Sequence, residues 1–123
     1  MSKVKRKLTT ILATDCVGFS KRMDENEELT LENLKACRSI IDPQIKEFGG
    51  RIFYTAGDSV IAEFESPVEC VNAAIGFQKA INDRNNTLSE ESQLDWRVGI
   101  HLDDVIIEGC LLYTSDAADD IGR

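Results

Sequence analysis

The sequence predicts an α+β fold of the ferredoxin-like βαββαβ type, a sheet with helices on one face. Three observations predict it. Strand-like and helix-like segments follow one another in the order β-α-β-β-α-β. Two long segments carry apolar residues at helical spacing along one stripe. The pair Gly57-Asp58 separates two short β-rich runs, as a tight hairpin turn requires. An extra helix early and an extra strand late complete the reading. In this arrangement the first strand lies between the third and the fourth, antiparallel to the third. The C-terminal end of the first strand therefore sits beside the start of the third.

Each element has its local reason. Residues 8–17 (LTTILATDCV) are apolar and β-branched, with charge before them and Gly18 after, and predict a central strand. Residues 20–28 are polar and predict a short helix capped by Ser20. In residues 29–48, Leu34, Cys37, Ile41, Ile45 and Phe48 form one apolar stripe. Pro43 is expected to bend or interrupt that helix, and Gly49-Gly50 to end it. Residues 51–55 and 59–65 are the hairpin strands. Pro67 opens the next helix at its favoured first position, with Cys70, Val71, Ala74, Phe77 and Ile81 as the buried stripe. Residues 82–93 predict a polar loop. Residues 95–101 alternate, with Trp96, Val98 and Ile100 on one face, and residues 104–108 predict a further short strand.

Composition narrows the function. The chain has 123 residues, enough for one domain, and 42% are hydrophobic, enough for a core. A net charge of −8 argues against a nucleic-acid binder, which needs a basic face. Lys3, Lys5, Arg6 and Lys7 form a lone basic cluster, read as a solvated lead-in to the first strand. No apolar run approaches the ~18 residues of a membrane span, and the start lacks a signal-peptide core, so a cytoplasmic protein is expected. Cys16, Cys37, Cys70 and Cys110 are widely spaced, without a C-x-x-C pair, and read as free thiols.

The last residues, 110–123 (CLLYTSDAADDIGR), resemble a translated sequencing adapter, the Cys-Leu-Leu-Tyr-Thr-Ser of a transposon mosaic end followed by Asp-Ala-Ala-Asp. They are set apart from residues 1–109 as an artefactual tail, with at most an opportunistic strand at 111–114. The alternative is a natural acidic strand and turn.

The expected topology brings two distant carboxylates together. Asp15 interrupts an apolar strand near its end, where an unpartnered charge would be costly. Asp58 sits at the hairpin entering the third strand. Two carboxylates at one sheet edge can share Mg²⁺ or Mn²⁺. Val17, Gly18, Phe19 and Ser20 turn into a helix, where backbone N–H groups favour a phosphate. Taken singly, Asp58 can be a plain turn residue, Asp15 a loop partner, Arg97 a surface strand residue and His101 a structural or solvent-exposed group. The carboxylates, a shared cation and the anion-binding turn together suit a nucleoside triphosphate.

Three segments then carry a family resemblance. TDCVGFS resembles the F-x-D-I-x-G-F-[ST] signature of class III adenylate/guanylate cyclases. GGRIFYTAGDSVIAEF resembles their second signature around Gly-Asp, and DWRVGIHLDDVI their Arg-Val-Gly-Ile-His/Asn segment. The resemblance implies a nucleotide cyclase domain of bacterial type, truncated, spanning 1–109. It implies two ions, Mg²⁺ or Mn²⁺, held by Asp15, Asp58 and the backbone of Cys16. It implies a triphosphate gripped by Arg97 and the turn Val17, Gly18, Phe19 and Ser20. Asp15 and Asp58 become the catalytic pair, ATP or GTP the substrate, and a head-to-tail homodimer the working form. Tyr54 stands where the family keeps a purine-reading lysine, and Asp103 where it often keeps glycine. The family's second base-selecting residue and its transition-state Asn and Arg have no counterpart here, which implies an active parent and an inactive fragment. Two other readings stay open: a cyclase-like regulatory or dimerisation module that binds nucleotide without turnover, and an unrelated ferredoxin-like binding domain.

Overall fold

The computed structural model describes residues 5–108 and 111–114. Its elements run β1 (Lys5–Cys16), α1 (Phe19–Glu25), α2 (Glu27–Glu47), β2 (Arg51–Ala56), β3 (Ser59–Phe64), α3 (Pro67–Asn85), β4 (Trp96–Glu108) and β5 (Leu111–Thr114), with a 3-10 turn at Glu90–Ser92 before β4. The strands form one antiparallel sheet in the order β2-β3-β1-β4-β5, so β1 lies between β3 and β4 as the topology requires. The α+β class and the central place of β1 follow the sequence reading.

The core lies on one face of this sheet. Leu12 and Cys16 of β1, Val60, Ala62 and Phe64 of β3, and Trp96 of β4 pack with Leu34, Cys37, Ile41 and Ile45 of α2 and Cys70, Ala73, Phe77 and Ile81 of α3. Alternation along each strand explains the selection, since residues two apart share a face. Arg84 of α3 donates to the Asn33 side chain of α2 at 2.8 Å, tying the two helices together.

Several boundaries differ from expectation for local physical reasons. The early helix starts at Phe19 with Gly18, not Ser20, at the cap; Gly18 takes φ 66°, a conformation that favours glycine. The chain breaks at Asn26, whose extended backbone closes α1 and whose side chain accepts from Leu29 N–H at 3.1 Å to start α2. Pro43 does not interrupt α2. Ile41 and Ile45 on either side of it are fully buried, and that packing outweighs the lost backbone hydrogen bond. Gly49, at φ 82°, does end the helix, with Gly50 N–H reaching Ile45 C=O at 2.8 Å and Gly49 N–H reaching Lys46 C=O at 3.1 Å, a Schellman closure.

In α3 the buried stripe includes Ala73, while Val71 is 43% exposed and faces outward. The helix runs on to Asn85, into the segment expected to be loop. The Asn85 side chain bonds both backbone groups of Leu94 at 3.0 and 3.3 Å, so the connection to β4 is held at a polar anchor. The two late strands expected at 95–101 and 104–108 are one strand, β4, because it pairs with β1 from Trp96 to Ile107 without a break. The extra late strand expected at 104–108 is therefore the second half of β4, and β5 pairs Leu111–Thr114 with residues 105–108 of it, where the tail reading allowed at most an opportunistic strand. The rest of the tail expectation, residues 110 and 115–123, lies outside the described residues, as does Gly109.

Candidate functional site

The two carboxylates stand at the same end of the sheet. β1 pairs with β3 so that Thr14 lies opposite Val60, which puts the Gly57-Asp58 turn against the last residues of β1. Asp58 Oδ2 accepts from the Cys16 backbone N–H at 2.8 Å, one residue beyond Asp15. The turn is tight because Gly57, at φ 57°, takes its first position.

Arg97 joins them from the other side. It lies directly opposite Asp15 in the β1–β4 register, and Thr14 Oγ1 donates to the Arg97 carbonyl at 2.7 Å. Its guanidinium meets Asp15 in a two-pronged pair, Nε to Oδ1 and a terminal nitrogen to Oδ2, both at 2.9 Å. The Asp15 side chain is 7% exposed and that of Arg97 60%, so a nearly buried carboxylate is neutralised by a cation reaching in from solvent. The hydrogen bond to Asp15 and its charge, with Asp58 adding to them, push the Arg97 pKa above its ordinary value. Burial, helped by Asp58, pushes the Cys16 thiol up to about 12, so it is uncharged at neutral pH.

The turn after β1 behaves in two ways. Val17 N–H is already taken, donating to the Asp95 carbonyl at 2.8 Å. The first helical bond of α1 is Arg22 N–H to Gly18 C=O at 3.1 Å, so the N–H groups of Phe19 and Ser20 precede the ladder. Gly18 and Ser20 are exposed and Phe19 packs partly against the core. A groove of about 400 Å³ opens beside Val17 and Gly18. Lys21 and Arg22 line it, and neither was singled out from the sequence; two adjacent cations in a helix's first turn were the available signal. Glu25, Glu90, Glu91 and Asp95 line it too, so its charge is mixed. Arg22 also bonds the carbonyls of Glu90 and Glu91 at 3.2 and 3.3 Å, which fastens α1 to the 3-10 turn.

Tyr54 lies apart from this cluster, on β2, 51% exposed. A bulge between Ile52 and Tyr54 sets its direction. Ile52 pairs with Ala62 on the helix side, and the extra residue lets Tyr54 pair with Ile61 on the opposite face, the face of Asp15 and Arg97. His101 sits on that face further along β4, its Nε2 3.8 Å from Asp103 Oδ2.

Among the described residues no group of three or more His, Cys, Asp or Glu gathers to hold a metal. The donors that do gather are carboxylate oxygens, which are hard. Mg²⁺ is commonly held by one or two carboxylates, with water and substrate phosphates filling the remaining positions. Asp15 and Asp58 are donors of that kind, with Arg97 bonded to both Asp15 oxygens and Cys16 N–H to one of Asp58.

No family model matches the chain. It is 35% identical over 111 residues to the protein named "Putative adenylate cyclase 3" of Rhizobium meliloti (strain 1021), matching 89% of this chain and 19% of that protein. It is 29% identical over 106 residues to "Serine/threonine-protein kinase pkn2" of Myxococcus xanthus, covering 85% of this chain and 13% of the relative. The chain thus spans a fifth or less of the curated relatives it matches. Among solved structures, an adenylate/guanylate cyclase/hydrolase from Silicibacter pomeroyi superposes over 98% of this chain and 70% of its own, with a TM-score of 0.84 and 31% identity. Shared fold, shared sequence and a majority of the relative's length agree, and the chain belongs to the class III adenylate/guanylate cyclase family.

Proposed function

We propose that this chain is the metal- and triphosphate-holding part of a cytoplasmic nucleotide cyclase that converts ATP or GTP to a 3′,5′-cyclic nucleotide and pyrophosphate in intracellular signalling. One observation carries the reading. Asp15, Asp58 and Arg97, from three strands or turns far apart in sequence, converge at one end of the sheet beside a turn with free-standing N–H groups.

Asp15, Asp58 and the Cys16 backbone would hold Mg²⁺ or Mn²⁺, two ions in the working site. Bound divalent ions would supply activation of the ribose 3′-hydroxyl and charge neutralisation on the leaving pyrophosphate. Arg97 grips the triphosphate two-pronged, a geometry its planar fork suits. Gly18, Phe19 and Ser20 offer backbone N–H groups to phosphate oxygens, and Val17 shapes the turn. Tyr54 offers a hydroxyl to the purine. The working form is a homodimer with sites at the interface, the base contact of one site coming from the other subunit.

Tyr54 also favours a second reading, a regulatory or dimerisation module that binds nucleotide without turnover, because its exposed phenol brings no charge to the place of a lysine. Family membership excludes the unrelated binding domain. The test is cyclic nucleotide formation by residues 1–109 joined to their natural continuation, with each base and each metal. Product from the wild type and none from Asp15→Ala or Asp58→Ala is expected. No product from a wild type that dimerises and binds metal would leave the regulatory module.

A further inference from the structure

We infer that Arg97 is a latch on the metal site: its two-pronged grip on Asp15 competes with cation binding, so that loading the metal and freeing the arginine for phosphate are one event. The inference rests on the metal-binding reading above and adds a coupling to it. Both Asp15 oxygens are engaged by Arg97 nitrogens at 2.9 Å, so while the fork is closed the guanidinium covers one edge of the carboxylate and its positive charge opposes a cation there. Asp15 is almost buried whereas most of Arg97 is in water, so the guanidinium is the partner that can move aside when a cation takes its place.

The carboxylate also needs a positive partner at all times. A buried anion left unpaired is strongly unfavourable, and Asp58 adds a second negative charge beside it. Arg97 meets that need when no cation is present. A cation meets it otherwise, and the released guanidinium then stands, still tethered opposite Asp15 in the register, where an anion is its natural partner. Linkage makes the effect reciprocal: an anion that captures Arg97 raises cation affinity by the factor by which the cation raises anion affinity.

The test is Mn²⁺ binding to the 123-residue chain, followed by electron paramagnetic resonance at fixed ionic strength, for wild type, Arg97→Ala, Arg97→Lys and Asp15→Asn. Melting curves on each variant confirm that it is folded. The latch predicts Mn²⁺ binding about five- to tenfold tighter in Arg97→Ala. Arg97→Lys is expected between the two, because lysine keeps the charge but cannot make the fork. Asp15→Asn should lose the site. Arg97→Lys equal to wild type, with only Arg97→Ala tighter, would overturn the latch in favour of simple charge repulsion. Equal affinity in all three Arg97 forms would overturn it too, while leaving the metal site intact. No saturable Mn²⁺ binding in any form would overturn the metal reading itself. Arg97→Lys covers the case in which Arg97→Ala does not fold.

Discussion

The two faces of the sheet use the same strands for opposite ends. On the helix face β1 presents Leu12 and Cys16, and their neighbours are hydrocarbon from α2 and α3. On the other face the same strand presents Ile11, Ala13 and Asp15, set among ionic pairs: Asp15 with Arg97, Arg51 with Glu63 at 3.1 Å, and His101 near Asp103. The first face carries the main core. The second also buries Ile11 and Ala13, and around them holds charge in fixed places on a rigid support, which is what a site for a charged ligand needs. Stability and ligand binding should therefore respond to mutation on different faces.

The largest separation is expected in the core. Phe77 is fully buried between helix and sheet, and Phe77→Ala should cost about 3–5 kcal/mol in urea denaturation. Arg97→Ala should also destabilise the metal-free chain, because it strands the nearly buried Asp15, but added Mn²⁺ should restore part of that loss and none of the loss in Phe77→Ala. An equal response of the two variants to Mn²⁺ would break the division of labour.

Gly50→Ala probes the packing between α2 and β3. A Cβ there would lie 2.5 Å from Phe64 Cζ and 2.7 Å from Ile45 Cγ2, both in the core, so about 1–3 kcal/mol of destabilisation is expected from overpacking.

The helix face should also show a pH dependence. Burial raises the Cys70 thiol to about 11 and the Cys16 thiol to about 12. The folded state thus favours the protonated thiols, and their contribution is complete below the unfolded value of 9.0 and lost as pH rises through the folded values. Denaturation curves between pH 9 and 10 should shift by about 1 kcal/mol per thiol. Cys70→Ala should remove its share of that slope; a slope unchanged in Cys70→Ala would mean that other groups carry it.

Smallest is Tyr54→Ala, expected to change stability by no more than about 0.5 kcal/mol because the side chain is exposed, while altering nucleotide affinity. A loss of several kcal/mol would make Tyr54 a structural residue instead.

Much of the helix face was legible in the sequence because packing writes a period. Leu34, Cys37, Ile41 and Ile45 stand at helical spacing and are the residues α2 buries. Val71 misled, being 43% exposed while Ala73 two residues on is buried, and Ile100 is more exposed than the Trp96 and Val98 it was grouped with. The opposite face was less legible. Asp15 and Asp58 could be placed at one sheet end from strand order, but nothing in the spacing announced that Arg97 would close on Asp15. That pairing depends on the β1–β4 register, set by two hydrogen-bonded strands far apart in the chain. The direction of Tyr54 depends on a one-residue bulge, which shifts the alternation without leaving a residue-type signature. Asn26 was missed because a single asparagine can end one helix and start the next with no glycine or proline to mark the break.

The central claim is that the cation site lies at the Asp15–Asp58 end of the sheet, on the face away from the helices, and paramagnetic broadening by Mn²⁺ tests it most directly. In ¹⁵N-labelled chain titrated with substoichiometric Mn²⁺, the amide signals of Cys16, Gly18 and Arg97 should vanish first, while those of Phe77 and Ile41 in the helices persist. Broadening that begins instead at Glu90 and Glu91, or that falls evenly across the chain, would contradict the account.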